Sequence, residues 1–158
     1  MAASRARADF SEFYRAEFPQ VYRAACLSTS DGQAALDVTQ EAFARAYARW
    51  RRLSREEWAG GWVMTTALNL ARRRRPETPD AAAGERGHRA GPGADRVDLV
   101  RALRRLPSRQ RQALVLHYVG DLPPRAVARV MNVSEGTVKA HLAQGRAALR
   151  KRLEVSDG

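Results

Sequence analysis

The sequence predicts an all-α protein made of two small helical domains joined by a flexible linker. Three observations carry this. Apolar residues recur at three- and four-residue steps along most of the chain, and no run alternates in the way a half-buried strand requires. Residues 76–95 break that pattern with Pro76, Pro79 and Pro92, Gly84, Gly87, Gly91 and Gly93, and no large apolar side chain, which is the composition of a connector. Finally, 158 residues suffice for one domain or two small ones, and the break falls near the middle.

Asp9 can cap a first helix, whose apolar positions are Phe10, Phe13, Tyr14, Val21, Tyr22 and Ala25. Pro19 lies inside it and predicts a kink or a break. Residues 28–32 read as a turn, and Ser30 followed by Gln33 resembles a capping box for a second helix. That helix spaces Leu36, Phe43 and Trp50 by seven, with Thr39, Ala46 and Tyr47 completing the stripe. Its other side carries Asp37 and Glu41 early and Arg45 and Arg49 late, an order that suits the helix dipole and pairs Glu41 with Arg45.

Ser54 and Glu57 offer a capping box for a third helix, which should stop by about Arg74 because Pro76 pushes its predecessor out of the helical region. Two stripes compete on it: Trp58, Trp62, Thr65 and Asn69, beside Val63, Ala67 and Leu70. Only one can face the core of a three-helix unit. The other presents Trp, Thr and Asn next to four arginines, Arg72 to Arg75.

After the linker, Val97, Leu99, Val100, Leu103 and Leu106 resume the helical spacing. Pro107 and Ser108 reset it, and Ala113, Leu114, Val115, Tyr118 and Val119 continue it to Gly120. Val127 and Met131, then Val138 and Leu142, define two short helices with Asn132, Val133 and Ser134 between them. Pro123 or Pro124 can open the first, Asn132 tolerates a left-handed backbone, and Ser134 is a good N-cap for the second. A tight link between two such helices, the second rich in basic residues, is the pattern of a helix-turn-helix whose second member enters a major groove. An ordinary helical hairpin has the same spacing.

Charge favours the first of these. The chain carries 28 basic and 17 acidic side chains, a net +11. Residues 1–75 hold 13 basic and 8 acidic, the connector 2 and 4, and residues 96–158 hold 13 and 5. The excess sits in the two expected folded parts, as two nucleic-acid contacts on one tether require. The one cysteine, Cys26, excludes an internal disulfide, and its apolar neighbours predict a buried, inert thiol. His88, His117 and His141 are scattered, with no carboxylate pair nearby, so no catalytic or metal site and no cofactor is expected. With no signal peptide and no long apolar run, the expected location is cytoplasmic, without membrane insertion.

Several segments resemble a known family. Residues 104–111, Leu114-Val115-Leu116, Tyr118 and Gly136-Thr137-Val138-Lys139 resemble the second conserved domain of a bacterial RNA polymerase sigma factor of the extracytoplasmic-function group (sigma-70 superfamily). Residues 37–43, and Trp62 through Asn69-Leu70-Ala71, resemble the first. The resemblance implies a transcription initiation factor with a region-2-like domain over 9–75, a flexible linker over 76–95 and a region-4-like domain over 96–153. The partners it implies are core RNA polymerase, through both large catalytic subunits, promoter DNA and an anti-sigma protein. By position it gives Asp37, Gln40 and Glu41 to the polymerase contact, and Trp62, Thr65, Thr66, Asn69, Arg72, Arg73 and Arg74 to opening the -10 element. It gives Ser134, Glu135, Gly136, Thr137, Lys139, Ala140, His141, Gln144 and Arg146 to the -35 duplex.

Some positions depart from the family's usual pattern. Asn132 stands in place of glycine, Ala126 in place of an acidic residue, and His141 and Gln144 in place of arginine. Gly145 replaces alanine, at a cost to the helix of about 1 kcal/mol. Two other readings remain open on the residues alone: a duplex-binding regulator that does not join polymerase, and a helical adaptor for an acidic protein.

Overall fold

The computed structural model describes residues 2–29, 31–74 and 94–156, and among them it is helical without a strand. The helices are α1 (Ala2–Ser28), α2 (Gly32–Ala48), α3 (Trp50–Leu53), α4 (Ala59–Arg74), α5 (Ala94–Arg104), α6 (Ser108–Tyr118), α7 (Pro124–Met131) and α8 (Glu135–Ser156). The expected linker, 76–95, lies outside the described residues except for its last two, which begin α5.

In the N-terminal half α1, α2 and α4 pack against one another. Phe43, 2% exposed, is at the centre, with the rings of Phe13, Tyr14 and Phe18 around it at centroid distances of 6.1, 4.8 and 6.0 Å. Val21, Val38 and Val63 are fully buried around this cluster. In the C-terminal half α8 packs against α5, α6 and α7. Val127, Met131, Val138 and Leu142 all turn inward there, as their spacing requires.

Several local expectations fail for identifiable reasons. α1 begins well before Asp9, so Asp9 caps nothing, and the helix runs through Pro19 without ending. The losses at Pro19 are one backbone hydrogen bond and a steric fit, which tertiary packing of the flanking Phe18 and Val21 overrides. At α2 the cap is Asp31, whose carboxylate accepts from the Gln33 amide at 3.0 Å; Ser30 lies outside the described residues. The buried stripe of α2 is Ala35, Val38, Thr39, Ala42, Phe43 and Ala46, so Leu36 is half-buried and Tyr47 exposed. Trp50 belongs to α3, which follows at once. Ser54 ends α3 instead of capping α4, with its hydroxyl donating to the Arg51 carbonyl, and α4 starts only at Ala59. Cys26 is half-buried rather than buried.

Gly145 has a packing reason that its helix propensity hides. A Cβ there would fall 2.8 Å from Leu114 Cδ1 and 3.2 Å from its Cγ, so the bare glycine lets α8 close on α6. Gly145→Ala should gain about 1 kcal/mol of propensity yet lose about 1–3 kcal/mol to overpacking of a buried leucine. A net loss of stability on chemical denaturation is the expected outcome. A rise in the midpoint would show that Leu114 simply turns aside.

The two halves are not apart. α4 packs on α6 and α7, and α1 on α5. Gly61 faces Leu122 and Val130, where an added Cβ would come within 2.8 Å of Leu122 Cδ1. Arg129 Nη2 on α7 is 2.9 Å from Glu56 Oε2 in the α3–α4 connection, and Gln112 Nε2 on α6 donates to Asn69 Oδ1 at 3.1 Å.

Candidate nucleic-acid interface

The helix-turn-helix forms from local chemistry. Pro123 stands at the N-cap position of α7 and Pro124 in its first turn, where a missing amide donor costs nothing. Asn132 ends the helix at φ 57°, ψ 48°, and its amide bonds back to the Ala128 and Arg129 carbonyls. Ser134 Oγ accepts from the Thr137 amide at 3.0 Å and lies 2.8 Å from Thr137 Oγ1, which opens α8. With Val138 and Leu142 inward, Glu135, Gly136, Lys139, Ala140, Gln144 and Arg146 lie exposed.

Side chains on that face are partly engaged. Lys139 Nζ lies 3.6 Å from Glu135 Oε1, an exposed pair that a phosphate can replace at little cost. Gln144 accepts from Gln110 at 3.2 Å, and Arg146 donates to the Tyr118 hydroxyl at 3.1 Å. His141 is half-buried, with Nδ1 turned inward and without a hydrogen-bond partner, so it has less to offer a groove than its neighbours.

The other expected face is in a different state. Val63, Ala67 and Leu70 are the core stripe of α4, and the competing stripe meets the C-terminal half at Trp58, beside Arg125, and at Asn69, bonded to Gln112. Thr65 is 7% exposed with its hydroxyl unpartnered, while Trp62, Thr66 and Asn69 are half-buried. The Thr66 hydroxyl donates to the Trp62 carbonyl, and Asn69 is held by Gln112. Arg72, Arg73 and Arg74 are exposed at the end of the helix.

Beside Trp62 opens a cleft lined by Tyr47, Arg49, Trp50, Trp58 and Arg129. The Arg49 guanidinium lies 5.6 Å from the Trp62 ring centroid, and that of Arg125 lies 5.8 Å from Trp58. Indole faces among arginines are a chemistry suited to stacked bases and their phosphates. Sequence reasoning missed Arg49, Arg125 and Arg129 here, because nothing in linear spacing brings α7 to the α3–α4 connection.

Asp37, Gln40 and Glu41 share one side of α2. Arg74 reaches back to Glu41 at 3.3 Å and to Asp37 at 4.0 Å, Arg45 pairs with Glu41 at 3.0 Å, and Gln40 accepts from the Tyr14 hydroxyl. All of these carboxylates remain substantially exposed. Elsewhere, burial raises the pKa of the half-buried Glu17 on α1. Among the described residues no group of side chains could hold a metal, and no helix is long and apolar enough to cross a membrane.

Comparison with known proteins matches both halves. The model of sigma-70 region 2 matches residues 13–76, and that of sigma-70 region 4 matches residues 96–149. ECF RNA polymerase sigma factor SigM of Mycobacterium tuberculosis is 31% identical over 153 residues, covering 91% of this chain and 76% of that protein. RNA polymerase sigma-E factor of Streptomyces coelicolor is 28% identical over 162 residues, covering 94% and 88%. Among solved structures, the sigma factor RpoE from Bartonella quintana, in complex with the anti-sigma factor NepR, aligns with a TM-score of 0.72 at 25% identity over 93% of this chain and 98% of that one. CnrH, solved with the cytosolic domain of CnrY, shares the fold with a TM-score of 0.73 at 21% identity over 97% of this chain and 95% of that one. A regulator that ignores polymerase would not account for both matches in this order. The chain belongs to the ECF sigma factors of the sigma-70 family, the initiation subunits that direct RNA polymerase to promoters.

Proposed function

We propose that this chain reads the -35 element as a duplex with α8 and opens the -10 element with α4, while the acidic side of α2 docks on core polymerase. The polymerase performs the chemistry; this subunit supplies address and melting, and works in the cytoplasm without a cofactor. The observation that carries the reading is the free outer face of α8 behind a well-formed turn, on a chain whose other half ends α4 in exposed arginines.

In this reading Ser134 leaves free amides at a helix N-terminus for a phosphate. Glu135 accepts from cytosine, Gln144 reads a base edge, and Thr137 and Ala140 offer methyl contacts to thymine. Gly136 lets the backbone approach the DNA, His141 lines the flank, and Lys139 and Arg146 hold phosphates. On α4, Trp62 receives an unstacked base and Asn69 pairs with a base edge, with Thr65 and Thr66 beside them. Arg72, Arg73 and Arg74 follow the backbone charge. Asp37, Gln40 and Glu41 form the polymerase contact. Base pairing by Asn69 requires α6 to release it first, since Gln112 holds its Oδ1. An anti-sigma protein, as in the RpoE complex, is the expected inhibitor.

Transcription in vitro with polymerase core lacking any sigma factor tests the whole. Adding the protein should produce discrete start sites, and their upstream sequences supply both elements. Absence of any directed initiation would defeat the proposal. Two substitutions divide the roles. Lys139→Ala should weaken all duplexes alike and reduce the salt slope by about one contact; a loss confined to one sequence would make that lysine a base reader. Asn69→Ala should preserve binding to core but lower permanganate reactivity near the start. Unchanged reactivity would remove Asn69 from the opening step.

A further inference from the structure

We propose that α6 is a positioning element for the reading face of α8, with the Tyr118 hydroxyl holding Arg146 and the Gln110 amide orienting Gln144. The inference rests on the reading of α8 as the duplex-contacting helix and names the residues that set its side-chain geometry.

Tyr118 is a large aromatic residue left 59% exposed at the end of α6, so burial does not explain its place. Its ring is braced from behind. The imidazole of His117 meets it edge-on with centroids 4.7 Å apart, and His117 Nδ1 is itself held 2.7 Å from the Leu122 carbonyl oxygen. The hydroxyl then accepts from Arg146 Nη1 at 3.1 Å across 28 residues of sequence. A free arginine gives up much rotamer freedom on meeting a phosphate. One already held gives up less, and pre-organising a side chain of this kind is worth about two- to tenfold in affinity.

Gln110 acts on orientation. A glutamine free in solvent can turn its amide over and offer either its donor or its acceptor to a base. Here Gln110 Nε2 donates to Gln144 Oε1 at 3.2 Å, which directs the Gln144 amino group away from α6. That group donates to an acceptor on a base edge, with guanine O6 and N7 or thymine O4 the edges free of a competing amino group. The close approach of α6 to α8 at Gly145 keeps the two amides within reach, since Gln110 Cβ and Leu114 flank that glycine. Gln110→Glu would reverse the arrangement: a carboxylate only accepts, so it would take the Gln144 amino group and leave Oε1 to meet an amino-bearing edge, adenine N6 or cytosine N4.

The test uses the full chain and a random-sequence 30-base-pair duplex, because a phosphate contact does not depend on sequence. Arg146→Ala should weaken binding and lower the salt slope by about one contact. Tyr118→Phe should weaken binding about two- to tenfold with the salt slope intact, and should add nothing in the Arg146→Ala background. An unaltered melting temperature for Tyr118→Phe separates this from loss of fold. If Arg146→Ala weakens binding and Tyr118→Phe does not, the positioning role is overturned. If Arg146→Ala has no effect, the phosphate reading of Arg146 fails and takes the role of Tyr118 with it. For the second pair, duplexes retained from a randomised pool are sequenced. Gln144→Ala should flatten preference at one position, and Gln110→Glu should shift that position from guanine or thymine toward adenine or cytosine. Preference unaltered by Gln110→Glu at a position that Gln144→Ala flattens overturns the role of Gln110, whereas no flattening by Gln144→Ala overturns base reading by Gln144 itself.

Discussion

Trp62→Ala is expected to lower open-complex formation by roughly 5- to 150-fold, the equivalent of losing about 1–3 kcal/mol of base stacking. The indole is half-buried on the flank of α4, beside a cleft with Arg49 over its ring. Removing it takes away the face on which an unstacked base can rest, whereas duplex contact by α8 is left alone. Trp62→Phe keeps an aromatic face and should restore most of the activity. The measurement is permanganate footprinting on a mapped promoter, with duplex binding by the same variant as control. Equal loss of duplex binding and opening would mean that Trp62 acts through the fold.

Phe43→Ala should cost about 3–5 kcal/mol, the loss typical of truncating a buried phenylalanine. Three aromatic rings surround Phe43, and its own is 2% exposed, so the neighbours cannot close the gap without moving α1 against α2. Small domains are stable by only about 5–15 kcal/mol, so a large share of the margin would go. Because Asp37, Gln40 and Glu41 lie on the same helix, binding to core polymerase should fall in step. Urea denaturation followed by circular dichroism checks the first part. A shift equivalent to under about 1 kcal/mol would show that the cluster repacks.

The helical class and the helix-turn-helix were legible because they depend on local signals: spacing, Pro123 and Pro124, Asn132 and Ser134. Helix boundaries were less so. Asp9 and Ser54 are good capping residues, but α1 already runs past the first, and the chain around the second turns through α3 before α4 begins. The expected stripe on α2 holds at Thr39, Phe43 and Ala46 but not at Leu36 or Tyr47, because Ala35, Val38 and Ala42 take the close-packed side. Ala35 and Ala42 are buried where three helices approach closely, while Tyr47 finds room at the edge. Gly145 read as a weak spot in a helix and is a contact surface for Leu114. What spacing could not reach was the meeting of the two halves. It runs through Gly61 against Leu122, Glu56 against Arg129, and Asn69 against Gln112, single pairs 43 to 73 residues apart in the hydrogen-bonded cases.

That meeting treats the two helices proposed to meet DNA unequally. α6 and α7 pack on α4, yet the outer side of α8 is exposed, with only side-chain contacts at Gln144 and Arg146. On the proposed reading, a molecule in this shape presents the duplex-reading side of α8 while Asn69 of α4 is still tied to α6. If those roles hold, address comes first and unzipping second, with the parting of Asn69 from Gln112 as the step between them.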